Sequence, residues 1–206
     1  MNDPASSDSS HTGPAAPFDP AAAAPLPRAT PVAQLDAPGA RRPDRAFLFA
    51  HPWHFIALGF GSGLPRFAPG TWGTLAAWAI FAVLDPFFTD VAWLGVILLG
   101  LYFGAWAAHR TGPALGRPDS GHIVIDEMVA FWIVLVMLPD AVELKGLQHT
   151  IAFALFRLFD IVKPPPIRFF DARVNNGFGV MLDDLMAAFY TLLAFALGTR
   201  LWQAWA

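Results

Sequence analysis

Five apolar runs, at residues 74–88, 91–108, 128–138, 150–162 and 185–198, are separated by short polar segments rich in Gly and Pro. No other feature constrains the chain so strongly. The runs are built from Ala, Leu, Phe and Trp without period-two alternation, so helices are expected and strands are not. Only the run 91–108 reaches the length at which an uncharged stretch reads as a spanning helix. The shorter runs suit core helices of a very apolar bundle. Charged residues make up 14% of the chain, against about a quarter in a soluble domain, too few to cover a water-facing surface. The expectation is an all-α fold: a compact, membrane-embedded bundle of short apolar helices whose Gly/Pro-rich loops carry the chemistry.

Several function classes fall away at once. The net charge of −3 argues against nucleic acid as a partner. The absence of Cys excludes disulfides, thiolate nucleophiles and Cys-ligated zinc. Residues 1–45 form an Ala/Pro-rich tail with no basic start and no apolar core of a signal peptide. Such a tail cannot bury enough apolar surface to offset its ordering entropy and is expected to be disordered. The helical domain is then 46–206. Along that domain the links alternate in charge. Those around Arg66, 109–117 and 163–173 are basic, and those at 85–90 and 139–143 are acidic. Helical hairpins whose basic ends stay in the cytoplasm carry this pattern, and it places every chemically interesting loop on the cytoplasmic side.

Three segments carry groups that could do chemistry. The stretch 59–74 holds Gly59, Gly61, Gly63, Gly70 and Gly73 and is expected to open into a helix at Thr74. Glycines let backbone amides approach an anion, and a helix N-terminus presents unpaired N–H groups to it. Gly70, Thr71, Gly73 and Thr74 are therefore candidate phosphate-binding positions, although a plain turn-rich connector would read the same way. The second segment sets Asp126 and Glu127 at the start of an apolar run. One acid there could be an N-cap or a dipole partner, but a pair beside a membrane helix needs a compensating cation or partner.

The third segment spaces Arg157, Asp160 and Lys163 three residues apart on one helix face, followed by Pro164, Arg168 and Asp171, then Asp183 and Asp184 opening the last helix. A surface ion-pair ladder would share that spacing, but the helix is otherwise apolar. Asp126, Glu127, Asp160, Asp171, Asp183 and Asp184 form an oxygen-only ligand set of the kind that suits Mg²⁺. Arg157, Lys163 and Arg168 beside them favour a phosphorylated substrate. Of the acids, Asp126, Glu127, Asp160, Asp183 and Asp184 are also the candidate catalytic groups.

The blocks GFGSGLPRFAPGTWGTLAAW, IVIDEMVAFW and FRLFDIVKPPPIRFFD…NNGFGVMLDDLMAA closely resemble the phosphatidylglycerophosphatase A family from Phe55 onward. The resemblance implies a bacterial inner-membrane enzyme with its site facing the cytoplasm. It implies Mg²⁺-dependent hydrolysis of phosphatidylglycerophosphate to phosphatidylglycerol and phosphate, a step of phospholipid biosynthesis. The family's acidic pair falls on Asp126 and Glu127. Its Arg-x-x-Asp-x-x-Lys-Pro block falls on Arg157, Asp160, Lys163 and Pro164. Its Pro-Ile-Arg and the following Asp fall on 166–168 and Asp171, and its late pair on Asp183 and Asp184. Relatives commonly carry Gly where this chain has Ala130.

Rival readings find less support. The Asp-Gly-x-x-Ala-Arg motif of phosphatidyltransferases is absent, as is the Asp-x-Asp block of haloacid-dehalogenase phosphatases. Asp119-Ser-Gly-His122 resembles one motif of the His-nucleophile lipid phosphatases, but its companion blocks are missing. A transporter, or another non-enzymatic membrane protein, would spread its acids through helix centres, whereas these gather at helix ends.

Overall fold

Thirteen residues at the centre of the fold, Ile125–Met137, are buried on nearly every side, as expected for a helix apolar all round. This is α5 of seven α-helices among the described residues of the computed structural model. The others are α1 Arg45–Ala50, α2 Pro52–Ala57, α3 Pro69–Leu84, α4 Asp90–Ala114, α6 Lys145–Val162 and α7 Gly177–Trp205. The structure describes residues 41–117, 120–139, 144–165 and 177–205, except for the side chains of 177–180. No strand occurs among the described residues. Most of the tail expected at 1–45 lies outside them.

α5 packs against α3, α4, α6 and α7. Its Trp132 indole donates to the Ala77 carbonyl of α3 at 2.9 Å, so the buried N–H is satisfied. Small residues bring α4 close. A Cβ on Gly100 would lie 2.7 Å from Val129, and one on Gly104 would lie 3.1 Å from Ile125 and 3.2 Å from Met181. Ala130, the position at which relatives commonly carry Gly, is itself buried, so its methyl group is absorbed into the core.

α4 and the segment Met181–Trp205 of α7 are long and apolar enough to cross a membrane. Twenty-five residues rise about 37 Å, more than the roughly 30 Å of hydrocarbon. α4 turns Trp93, Ile97 and Ala107 inward, while Leu94, Leu98, Leu99 and Tyr102 face outward. A soluble protein would not leave so continuous an apolar face in water. The chain is an all-α membrane protein.

Two helix starts differ from the expected ones, and each moves site residues. α3 begins at Pro69 rather than Thr74, because proline at the first helical position is already set to the helical φ. Gly70, Thr71, Gly73 and Thr74 are therefore helical, not in a loop. α7 begins at Gly177, which places Asp183 and Asp184 inside the helix and gives a second candidate span where one was expected. Two short helices also precede the first expected run. Asp44 caps α1 by accepting from the Phe47 amide at 2.7 Å, and His51 caps α2. The Phe47 and His54 rings stack with centroids 4.0 Å apart, closing the pair into a hairpin.

Candidate active site

The acidic residues meet because the first turn of α5, the last turns of α6 and the early turns of α7 reach the same end of the bundle. Asp126, Glu127 and Asp184 each present a carboxylate oxygen, and these lie within 4.8 Å of one another. Asp126 and Asp184 are only 4% and 5% exposed. Together with Asp160, Lys163, Asp183, Ser120, Gly121 and Ile123 they line a cleft of about 80 Å³. Five carboxylates and one Lys thus share a small cleft, with Arg157 beside Glu127 and Asp160. Burial first, then the Asp126 carboxylate, pushes Glu127 well above the usual carboxylate range. Glu127 Oε2 is buried without a hydrogen-bond donor among the described residues. A cluster of this kind, acid-rich and largely buried, fits a divalent cation bound through oxygen.

The two cations are already engaged. Arg157 Nη1 lies 2.7 Å from Asp160 Oδ2 and 3.8 Å from Glu127 Oε1. Lys163 Nζ lies 2.8 Å from Asp183 Oδ2. Arg157 and Lys163, expected to clamp an anion, are therefore held by acids in this state. Arg157 Nε is buried with no acceptor among the described residues, an arrangement costing about 1–3 kcal/mol unless something fills it. Lys163 ends α6 in the left-handed region at φ 43°, a costly conformation for a side-chain-bearing residue, and one that clusters at functional sites.

The Gly-rich segment contributes differently from the expected anion cradle. None of Gly70, Thr71, Gly73 and Thr74 lines the cleft. Gly73 meets Val124, where a Cβ would come within 2.6 Å of the valine Cβ. Thr74 is fully buried; its hydroxyl donates to the Gly70 carbonyl at 2.8 Å and accepts from Arg157 Nη1 at 3.5 Å. Gly70 backs onto the site, since a Cβ there would strike Glu127 Oε1 and lie 3.1 and 3.2 Å from the two terminal nitrogens of Arg157. Gly70→Ala is accordingly expected to lower turnover about tenfold to a hundredfold by displacing both side chains, with the melting temperature nearly unchanged. Phosphate release measured beside thermal unfolding checks it.

Ser120, Gly121 and Ile123 escaped the sequence reading, although the Ser-Gly turn signal just ahead of the acidic pair was there to be used. His122 is buried and points away from the cleft, with Nδ1 donating to the Gly63 carbonyl at 2.7 Å. Arg168 and Asp171 lie outside the described residues.

Residues 55–199 match the family described as Phosphatidylglycerophosphatase A. The chain belongs to that family. It is 41% identical over 151 residues to Phosphatidylglycerophosphatase A of Haemophilus influenzae, an alignment covering 73% of this chain and 91% of that one. It is 42% identical over 139 residues to the protein of the same name in Escherichia coli, covering 67% and 78%. A Bacteroides thetaiotaomicron protein provisionally named phosphatidylinositol-3-phosphatase is 41% identical over 147 residues, covering 68% of this chain and 89% of its own length. No solved structure matches. As a member of the phosphatidylglycerophosphatase A family, the chain is a phosphatase, a phosphoric monoester hydrolase.

Proposed function

We propose that this phosphatase removes the terminal phosphate of phosphatidylglycerophosphate at the cytoplasmic face of the bacterial inner membrane, producing phosphatidylglycerol for phospholipid biosynthesis. The observation that carries this reading is the buried Asp126–Glu127–Asp184 cluster beside Arg157 and Lys163, at the ends of membrane helices. The names of two relatives, 41% and 42% identical, supply the lipid.

Asp126, Glu127 and Asp184 would hold Mg²⁺, with Asp183 close by; the family motif adds Asp171 as a candidate ligand. Bound there, Mg²⁺ supplies charge neutralisation at the phosphoryl oxygens and activation of water. The protein's own groups do the rest. Arg157 and Lys163 exchange their carboxylate partners for oxygens of the substrate phosphate, so the incoming dianion is met by cations. Arg157 Nε gains the acceptor it lacks. Asp160, released from Arg157, is placed at the cleft to take the proton of the attacking water. Water oxygen bonds to phosphorus, the bond from phosphorus to the glycerol oxygen breaks, and that oxygen takes a proton from solvent and leaves as the alcohol, while Asp160 returns its proton to solvent. Arg168 would add to the phosphate-binding groups. Gly70 and Thr74 act by seating Arg157 and Glu127.

The test is phosphate release in detergent from phosphatidylglycerophosphate and from phosphatidylinositol 3-phosphate, with Mg²⁺ and with excess chelator. The expected result is turnover of the first lipid at least about a hundredfold above the second, abolished by chelator and restored by Mg²⁺. Preference for the inositol lipid, the substrate in the Bacteroides protein's name, would overturn the substrate assignment. Full activity in chelator would overturn the metal.

A further inference from the structure

We infer that the α1–α2 hairpin is an interfacial element that lies in the headgroup layer of an anionic bilayer, beside the mouth of the active site. α1 and α2 are six residues each and rise only about 9 Å, so neither can span. Yet the bundle covers them on one side only. α1 buries Phe47 and Leu48 while Phe49 is 72% exposed. Beyond α2, Phe60 is held at φ 59°, a strained conformation for a phenylalanine, with its ring half out of the protein. The Phe49, Phe55 and Phe60 rings run in contact, 5.9 and 5.5 Å between successive centroids, forming one aromatic ridge.

The level of this ridge is set by α4. Trp53 of α2 packs on Trp106 at 4.0 Å between centroids, and Trp106 stands in the last apolar turn of that span, just before His109 and Arg110. Tryptophan followed by basic residues at the end of a span marks the membrane–water interface. The same hairpin borders the catalytic end, because the Val124 amide, one residue before α5, donates to the Ala57 carbonyl of α2 at 2.9 Å. Charge selects the occupant. Arg41 and Arg45 are exposed at the start of the hairpin, and Arg41 is tied by its amide to the Leu115 carbonyl at the end of α4. An aromatic ridge flanked by arginines, fixed at interfacial height, is complementary to anionic headgroups over acyl chains rather than to water.

This goes beyond the catalytic proposal, and its test does not read activity. The chain has no Cys, so Phe49→Cys in the full-length protein gives a single site for a fluorescent label. The labelled protein is placed in lipid nanodiscs carrying bromine either near the glycerol backbone or deep in the chains. Leu98→Cys, midway along α4 and lipid-facing, serves as the deep control. The label at 49 is expected to be quenched by shallow bromine several times more than by deep bromine and to be shielded from aqueous iodide; the label at 98 should show the reverse depth preference. Shallow quenching at 49 should rise by roughly twofold when about 30% of the lipid is anionic, and Arg41→Gln with Arg45→Gln should abolish that rise. Quenching at 49 by iodide alone would place the hairpin in water and overturn the inference. Shielding from both bromine and iodide would mean that protein covers it, a second copy or the N-terminal segment, and would overturn it equally. A rise that survives the arginine replacements would overturn the role of charge.

Discussion

Asp184→Asn is expected to lower phosphate release about a thousandfold while raising the stability of the metal-free protein. The first effect follows from the cluster: Asp184 is one of three carboxylates within 4.8 Å, and loss of about 4 kcal/mol of charge stabilisation corresponds to three powers of ten. The second effect has the opposite sign because the same three groups repel one another when no cation is present. Replacing one of these crowded, buried carboxylates by a neutral isostere should stabilise by about 1–3 kcal/mol. Thermal unfolding in detergent with excess chelator reads this directly, and the wild-type melting temperature should rise with Mg²⁺ while that of the variant should not. A variant that keeps activity within tenfold, or that melts lower than wild type in chelator, would contradict the assignment.

The pH behaviour follows from the same cluster. Glu127 is raised above the ordinary carboxylate range, by burial first and then by Asp126. A raised acid is bound to its proton more tightly in the folded state than in the unfolded one. Its contribution to stability is complete below the unfolded value and is lost as pH climbs through the raised one. The chelated protein should therefore weaken on going from mildly acidic to neutral pH, and Mg²⁺ should remove that loss by displacing the proton.

Arg157→Lys is the second large effect, expected to cost about a hundredfold in kcat/KM, with Arg157→Gln costing about a thousandfold. A single nitrogen of Arg157 faces Asp160 at 2.7 Å, Thr74 at 3.5 Å and Glu127 at 3.8 Å. Its other terminal nitrogen lies beside Gly70. Lysine supplies the charge but not the planar fork, so it can hold Asp160 or reach the phosphate, not both. Glutamine in addition leaves two buried acids without a cation, at about 2–5 kcal/mol. Steady-state kinetics separates the two: the lysine variant should lose mainly kcat, the glutamine variant both kcat and metal affinity. Equal activity of the lysine variant and wild type would reduce Arg157 to a structural ion pair.

The acidic pair at 126–127 and the Arg157, Asp160, Lys163 spacing were legible in the sequence because both are local patterns set against apolar surroundings. Their convergence with Asp184 was legible only as an inference from alternating loop charge. What was not legible depends on partners distant in the chain. Gly59, Gly63 and Gly73 read as an anion cradle, but the space beside them is filled by Met128, the His122 carbonyl and Val124. The start of α7 was hidden because Gly177, Gly179, Asp183 and Asp184 interrupt the apolar run. The helix continues through them because its polar residues face the cleft rather than lipid. Arg157 and Lys163 were legible as cations beside the acids, but their pairing with Asp160 and Asp183 is a property of the assembled site.

The central helix has a further consequence. α5 rises about 20 Å, well short of the hydrocarbon thickness, and neighbouring helices rather than lipid surround it. The depth of Asp126 and Glu127 is thus fixed by protein packing, and hydrophobic mismatch acts only on the outer helices α4 and α7, which can tilt to absorb it. Asp126 and Glu127 are thus shielded from bilayer thickness, whereas Asp183 and Asp184 ride on α7, so a change of acyl-chain length is expected to reach the acidic cluster through that helix.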